Sequence, residues 1–333
     1  MRLGGRALAV VTEAVRGRSD KAVGEAFVAP ARVLMFLAIA FPTVLILYMS
    51  VTSWTPGTGD QWWEAGRYWV GLDNFQDLLT SDSFYHALFR TLVVVVVAVT
   101  VESLLGFGLA MLFVRAFPMR SVFTLMFLLP MMVVPAVAGF IFVMLFQLNG
   151  PVNHILSAVL PGDVAIRWLT DPGVALYSVI IVDIWQWTPL MFLIFLSGLV
   201  SLPDDQLNAA KLLGAGPWFQ LRTLVLPMMK PIILIAVIIR AVETFKIFDP
   251  AWILTKGGPG EASTTISVFF YRATFVESRW AYASAAAIIV VSAVSLVAWR
   301  AIRPIEGATE EALDESIVGE GPRPVVAVAG EGR

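Results

Sequence analysis

Two apolar segments of this chain carry side chains that could do chemistry. The first, IIVDIWQWTPLMFLIF, spaces Asp183, Gln186, Trp187 and Leu190 at i, i+3, i+4 and i+7, one face of a helix. A carboxylate and an amide there can hydrogen-bond hydroxyls, and Trp187 offers an apolar face on which a ring can stack. The second, IIRAVETFKIFDPAWIL, carries Arg240, Glu243, Lys246 and Asp249. Arg240, Thr244, Ile247 and Phe248 share a face at i, i+4, i+7 and i+8, while Glu243 and Lys246 have the i, i+3 spacing of an intrahelical pair. A charge isolated in a hydrocarbon layer costs at least about 2.5 kcal/mol, so these groups are expected to line a cavity or to pair. Two readings stay open. Either Arg240 is a forked donor to a phosphate, sulfonate or carboxylate, or it is a counter-ion to Asp183 or Glu243. In the second case Asp183 and Gln186 hold helices together and Trp185 and Trp187 are packing. Glu102, in another apolar stretch ahead of Leu104 and Gly106, is expected to make an interhelical hydrogen bond.

Covalent chemistry is not expected of these groups. The chain has no cysteine, which excludes disulfides, thiolate nucleophiles and Cys-ligated metals. His86 and His154 belong to no ligand cluster, and Asp183, Glu243 and Arg240 lack a nucleophile. No GxxxxGK[ST] phosphate loop occurs: GGPGEAST (Gly257 to Thr264) has neither the spacing nor the Lys. Any energy source must come from another chain.

The elements that position these residues follow from composition. Hydrophobic residues make up 58% of the 333 residues and charged ones 14%, against roughly 45 to 50% and 25% in soluble domains. Six stretches are long enough for a ~30 Å hydrocarbon core: residues 31–53, 88–114, 121–146, 173–200, 228–252 and 281–301. The fold class expected is therefore all-α integral membrane, with six transmembrane helices in a domain spanning 31–303. Arg and Lys cluster before the first stretch, between the second and third, between the fourth and fifth, and after the sixth. That bias puts both termini in the cytoplasm. Residues 1–30 read as a basic cytoplasmic lead-in and 304–333, rich in Glu and Asp, as a disordered acidic tail.

One polar interruption, LPDDQLNAAKLLGAGPWFQLRTLVLPMMKP (Leu202 to Pro231), falls on the cytoplasmic side. Asp204, Asp205 and Asn208 suit a helix start, small Ala209 and Ala210 allow close packing, and Gly214, Ala215 and Pro217 form a break. Ala209, Ala210, Gly214, Leu224, Leu226 and Pro227 at these offsets resemble the EAA loop of binding-protein-dependent ABC importer permeases. VGLDNF (Val70 to Phe75), the Gly150, Pro151, Asn153 segment, and LTKGGPGEASTT (Leu254 to Thr265) followed by FFYRATF (Phe269 to Phe275) are similar to sugar permeases of the maltose and glycerol-3-phosphate type.

The resemblance implies a type I importer permease fold in a bacterial cytoplasmic membrane. It implies a second permease subunit, two copies of an ATPase that hold the ATP, and an extracytoplasmic solute-binding protein, with no role for nucleic acid. The loop at about 202–227 would be the coupling helix, and Asp183, Gln186, Trp187 and Leu190 would line a solute path that the Arg240 face also borders. The solute would be a sugar, polyol, glycoside or sugar phosphate. Asn208 stands where the family's loop has Glu and Leu213 where an acidic residue is usual, so the ATPase contact falls to a neutral hydrogen bond or to Asp204 or Asp205. A permease for peptides or polyamines is the nearest alternative. An ion-coupled secondary transporter would show internal repeats, and the Asp183 and Arg240 segments have no duplicate.

Overall fold

The computed structural model describes residues 4–318. Residues 1–3 and 319–333 lie outside it, and with them the ends of the basic lead-in and of the acidic tail. The helices are α1 (Gly4–Ser50), α2 (Asp73–Leu79), α3 (Asp82–Phe113), α4 (Arg120–Met132), α5 (Pro135–Leu145), α6 (Pro151–Val159), α7 (Ala175–Val200), α8 (Asp204–Leu212), α9 (Pro217–Gln220), α10 (Leu226–Phe245), α11 (Asp249–Thr255), α12 (Ile266–Tyr271) and α13 (Trp280–Val318). Among the described residues, five helical stretches are long and apolar enough to cross a membrane: Phe27–Ser50, Asp82–Phe113, Ala175–Val200, Pro217–Phe245 and Trp280–Val297. The pair α4 and α5 makes a sixth if it counts as one span.

Two expected spans are broken. The stretch 121–146 bends by 96° between α4 and α5. Val134 is extended and Pro135 opens α5, because proline has no N–H to continue the helix and disfavours helical geometry in the residue before it. The stretch 228–252 ends at Phe245. Lys246 to Phe248 form a break, and α11 starts at Asp249 with Pro250 in its first turn. Ile247 and Phe248 therefore leave the helix that was expected to present them beside Arg240 and Thr244. The acidic segment from residue 304, expected to be disordered, continues α13 as far as Val318; its Glu, Ala and Leu are good helix formers.

The chain divides into two compact units. One comprises residues 1–78 and 277–289. Within it the VGLDNF motif caps α1: Asn74 Nδ2 donates to the carbonyls of Ser50 (2.9 Å) and Thr52 (2.6 Å). Met49, Trp54 and Ala65 form its small core, and Trp62 packs edge-on against Phe41 of α1.

The other unit holds residues 79–276 and 290 onward. α3 and α7 run along each other, with α4, α5 and α10 against α7 and α10 also against α3. Helices in lipid gain little from excluding water, so close contact between small residues matters more. Ala98, Ala110 and Gly106 of α3 are buried there. A Cβ on Gly106 would lie 2.8 Å from both Met191 Cβ and the Phe192 backbone nitrogen, so the two backbones touch at this level. The GGP motif is a turn tied by hydroxyls. Thr264 Oγ1 donates to Gly257 O and Ser263 Oγ to Gly258 O, both at 2.8 Å. Thr265 Oγ1 reaches Ile247 O in the α10–α11 break at 3.1 Å. Thr91 Oγ1 of α3 accepts from Ile266 N at 2.8 Å.

Replacing Gly106 with Ala should lower the melting midpoint of the purified chain, corresponding to about 1–3 kcal/mol of overpacking. Gly108→Ala is the control, since its Cβ would meet nothing within 4 Å. Its midpoint, read by gel filtration after heating, should stay or rise.

Candidate functional site

Arg240 is the centre of the buried polar chemistry. It comes from α10 and is 1% exposed, with Glu102 of α3 at 0% and Asp183 of α7 at 3%. Its Nε donates to Glu102 Oε2 at 2.7 Å and its Nη2 to Glu102 Oε1 at 2.9 Å, a two-pronged fit. Nη2 also donates to Asp183 Oδ2 at 2.8 Å, and Thr244 Oγ1 reaches the same oxygen at 3.4 Å. The guanidinium carbon lies 5.2 Å from the centroid of the Trp187 ring, a cation–π distance. Of the two roles open to Arg240, the geometry is that of a counter-ion. Its partners are Asp183 and Glu102, not Glu243. Glu243 instead pairs with Lys246 at 3.0 Å, both side chains being more than half exposed; such a pair is worth about 0–1 kcal/mol.

A cavity of about 260 Å³ opens beside this cluster. Asp183, Gln186 and Trp187 of α7 and Arg240 and Glu243 of α10 line it. The two helix breaks supply the rest: Pro135 from one, and the run from Lys246 to Pro250 from the other. Ile247 and Phe248 thus reach the cavity from the break rather than from a helical face. Leu190 and Thr244 are not among its lining residues; Thr244 is buried behind Asp183.

Gln186 shows how the bend is held. Its Nε2 donates to Val133 O at 2.6 Å, occupying a carbonyl at the α4–α5 bend. Its Oε1 is buried with no partner. Spacing along one helix could not have revealed either the Gln186 contact or the Glu102 pairing. The available signal was charge balance, since a carboxylate in an apolar span needs a cation from some other helix.

The polar interruption has its own geometry. Asp204 and Asp205 form the first turn of α8 and complement its dipole. Asn208 Oδ1 accepts from Lys211 at 3.4 Å; Ala209 is exposed and Ala210 half-buried. Gly214 is left-handed, with φ +79°. Ala215 N bonds to Ala210 O and Gly214 N to Lys211 O, both at 3.0 Å, the two bonds of a glycine helix stop. Pro217 starts α9, and Gln220 Nε2 ties back to Ala215 O at 2.6 Å. Leu212 is 90% and Leu213 88% exposed. With exposed Trp218 and Phe219 they make an apolar face that no spacing in the sequence marks.

Arg240→Ala should strip a buried charge partner from both carboxylates and destabilise the chain by about 3–5 kcal/mol. Adding Glu102→Gln and Asp183→Asn should recover most of the melting midpoint. Lys246→Ala should shift it little.

Residues 102–304 match the family described as binding-protein-dependent transport system inner membrane component. The probable ABC transporter permease protein y4oQ of Sinorhizobium fredii is 39% identical over 253 residues, 75% of this chain and 79% of its own. The trehalose transport system permease protein SugA of Mycobacterium tuberculosis is 30% identical over 293 residues, 88% of this chain and 92% of its own. Among solved structures, a bacterial ABC transporter involved in the import of the acidic polysaccharide alginate superposes with a TM-score of 0.73 at 20% identity, covering 87% of this chain and 97% of that one. With its apolar spans, its glycine-stopped α8 and these matches, the chain belongs to the family of binding-protein-dependent transport system inner membrane components and has the fold of an ABC importer permease.

Proposed function

We propose that this chain is one of two permease subunits of an ATP-driven importer that takes a carbohydrate-like solute across the cytoplasmic membrane, and that α8 is its contact with the ATPase. The observation that carries the proposal is the place of α8 in the chain. It lies, followed by α9, in the connection between α7, which brings Asp183, Gln186 and Trp187 to the cavity, and α10, which brings Arg240. Leu202 and Leu207, before and on α8, pack with Leu221 onto the cluster of Phe192, Phe195 and Met229 at the feet of those helices. A push on α8 is therefore a push on both walls of the cavity. Its apolar outer face, Leu212 and Leu213, is what a protein cleft would cover.

The names of the relatives support the carbohydrate class: they include trehalose, trehalose/maltose and starch degradation product permeases. The alginate importer was also solved with a periplasmic protein carrying an alginate pentasaccharide, which supports a binding-protein partner. In the mechanism proposed, the binding protein delivers solute on the outer side, two ATPase subunits bind ATP and Mg below, and their closure moves α8. Asp183, Gln186, Trp187 and Arg240 border the solute path. In this reading both termini and residues 202–227 are cytoplasmic, which the Lys and Arg bias supports.

Gly214→Leu forces a side chain into left-handed backbone and spoils the helix stop. The assembled complex should still reach the membrane, but solute-stimulated ATP hydrolysis should fall at least tenfold, a drop of about 1.4 kcal/mol in coupling. Undiminished stimulation would count against α8 as the contact. Because the chain has no cysteine, topology can be tested separately with a single Cys at exposed Gln206. It should react with an impermeant maleimide in inside-out vesicles and not in intact cells.

A further inference from the structure

The cavity presents hydrogen-bonding groups of unequal kind, and the fold determines which remain available. Gln186 is 1% exposed, and its amide is half committed. A backbone carbonyl can only accept, so the group bonded to Val133 O at 2.6 Å must be the NH2. The oxygen is left buried and without a donor beside the cavity that Gln186 lines. Such an atom carries its full desolvation penalty until a donor reaches it.

Arg240 is committed in the other direction. Its Nε and Nη2 are held by both oxygens of Glu102 and by Asp183. The fork that would grip an anion is closed, and only the Nη1 amino group makes no hydrogen bond among the described residues. The ion pairs point the same way: both cations of the lining are already held by carboxylates, Arg240 by Asp183 and Lys246 by Glu243, so neither stands free to receive an anion.

We infer that the cavity selects a neutral, hydroxyl-bearing solute and turns away anionic ones, with the Gln186 Oε1 as the acceptor that a solute hydroxyl must satisfy. A hydroxyl both donates, as Gln186 Oε1 requires, and accepts, as an Arg240 N–H requires. A carboxylate, sulfonate or phosphate only accepts. It would leave Gln186 Oε1 unmet and find the lining cations already paired, and it could take the Arg240 fork only by stranding Glu102. An ammonium could meet Gln186 but has no acceptor to offer and would sit beside the guanidinium. The inference rests on the proposed reading of this cavity as the solute path, and it deepens that reading by fixing the charge class.

The test uses the assembled importer in nanodiscs without its binding protein, with and without ATP and orthovanadate, so that only the membrane cavity is probed. Saturation-transfer NMR would follow maltose and trehalose, the same disaccharides oxidised at one C6 to the uronate, and spermidine. A neutral disaccharide should give a signal that Trp187→Ala removes, with its uronate bound at least tenfold more weakly. Gln186→Met should weaken the neutral sugar by about tenfold, the scale of one hydrogen bond to a buried group. Should that variant not assemble because it also loses the bend contact, the wild-type comparison of sugar with uronate decides alone. A uronate or spermidine bound as tightly as the neutral sugar, with Trp187→Ala still abolishing the signal, would overturn the inference and leave the cavity as the solute site. No Trp187-dependent signal from any probe would remove the cavity from the proposed function, and the inference with it.

Discussion

One guanidinium answering two carboxylates sets the geometry of the helical core. Glu102, Asp183 and Arg240 come from α3, α7 and α10, and all three side chains are buried. In such a setting an ion pair cannot exchange its partners for water, and its directional hydrogen bonds fix how each helix is rotated about its own axis. Replacing a buried ionic triad by apolar groups often costs nothing in stability. What the triad supplies here is register. With α10 turned so that Arg240 reaches Glu102, the guanidinium also lies against Trp187, and the cavity wall is defined.

The cavity itself is a product of broken helices. A backbone group freed within a membrane must find a partner inside the protein. At the α4–α5 bend the partner is Gln186, and at the α10–α11 break it is Thr265, which holds Ile247 O. Both breaks lie beside a proline, Pro135 or Pro250, and both deliver residues to the same cavity. The hydroxyl-rich turn around GGP therefore acts on the site at a distance: it steadies the segment from Lys246 to Pro250 without lining the cavity.

Local features were legible in the sequence and distant ones were not. The Gly214 stop, the Glu243–Lys246 pair and most of the apolar spans each depend on a few neighbouring residues, and each stands where spacing put it. The Glu102–Arg240 pair joins residues 138 positions apart, and no periodicity encodes it. Hydropathy measures composition rather than path, which is why 121–146 and 228–252 read as continuous spans although Pro135 and Pro250 break them. The shared-face argument brought Asp183, Gln186 and Trp187 together but overreached at Leu190, a further turn along α7 and outside the lining. The exposure of Leu212 and Leu213 was not legible because nothing in their own spacing says that they are uncovered.

The contact at Gly106 bears on how such a bundle can move. Elsewhere between the helices, side chains form a layer that can change rotamer and let one helix slip past another. At Gly106 there is no such layer, because the glycine Cα faces the backbone of Met191 and Phe192 directly. α3 and α7 are thereby denied sliding and rolling against each other and must travel as one rigid piece. A push that reaches α7 therefore carries α3 with it, and the change of angle is absorbed at the proline breaks, at the segments ending at Val133 and Phe245.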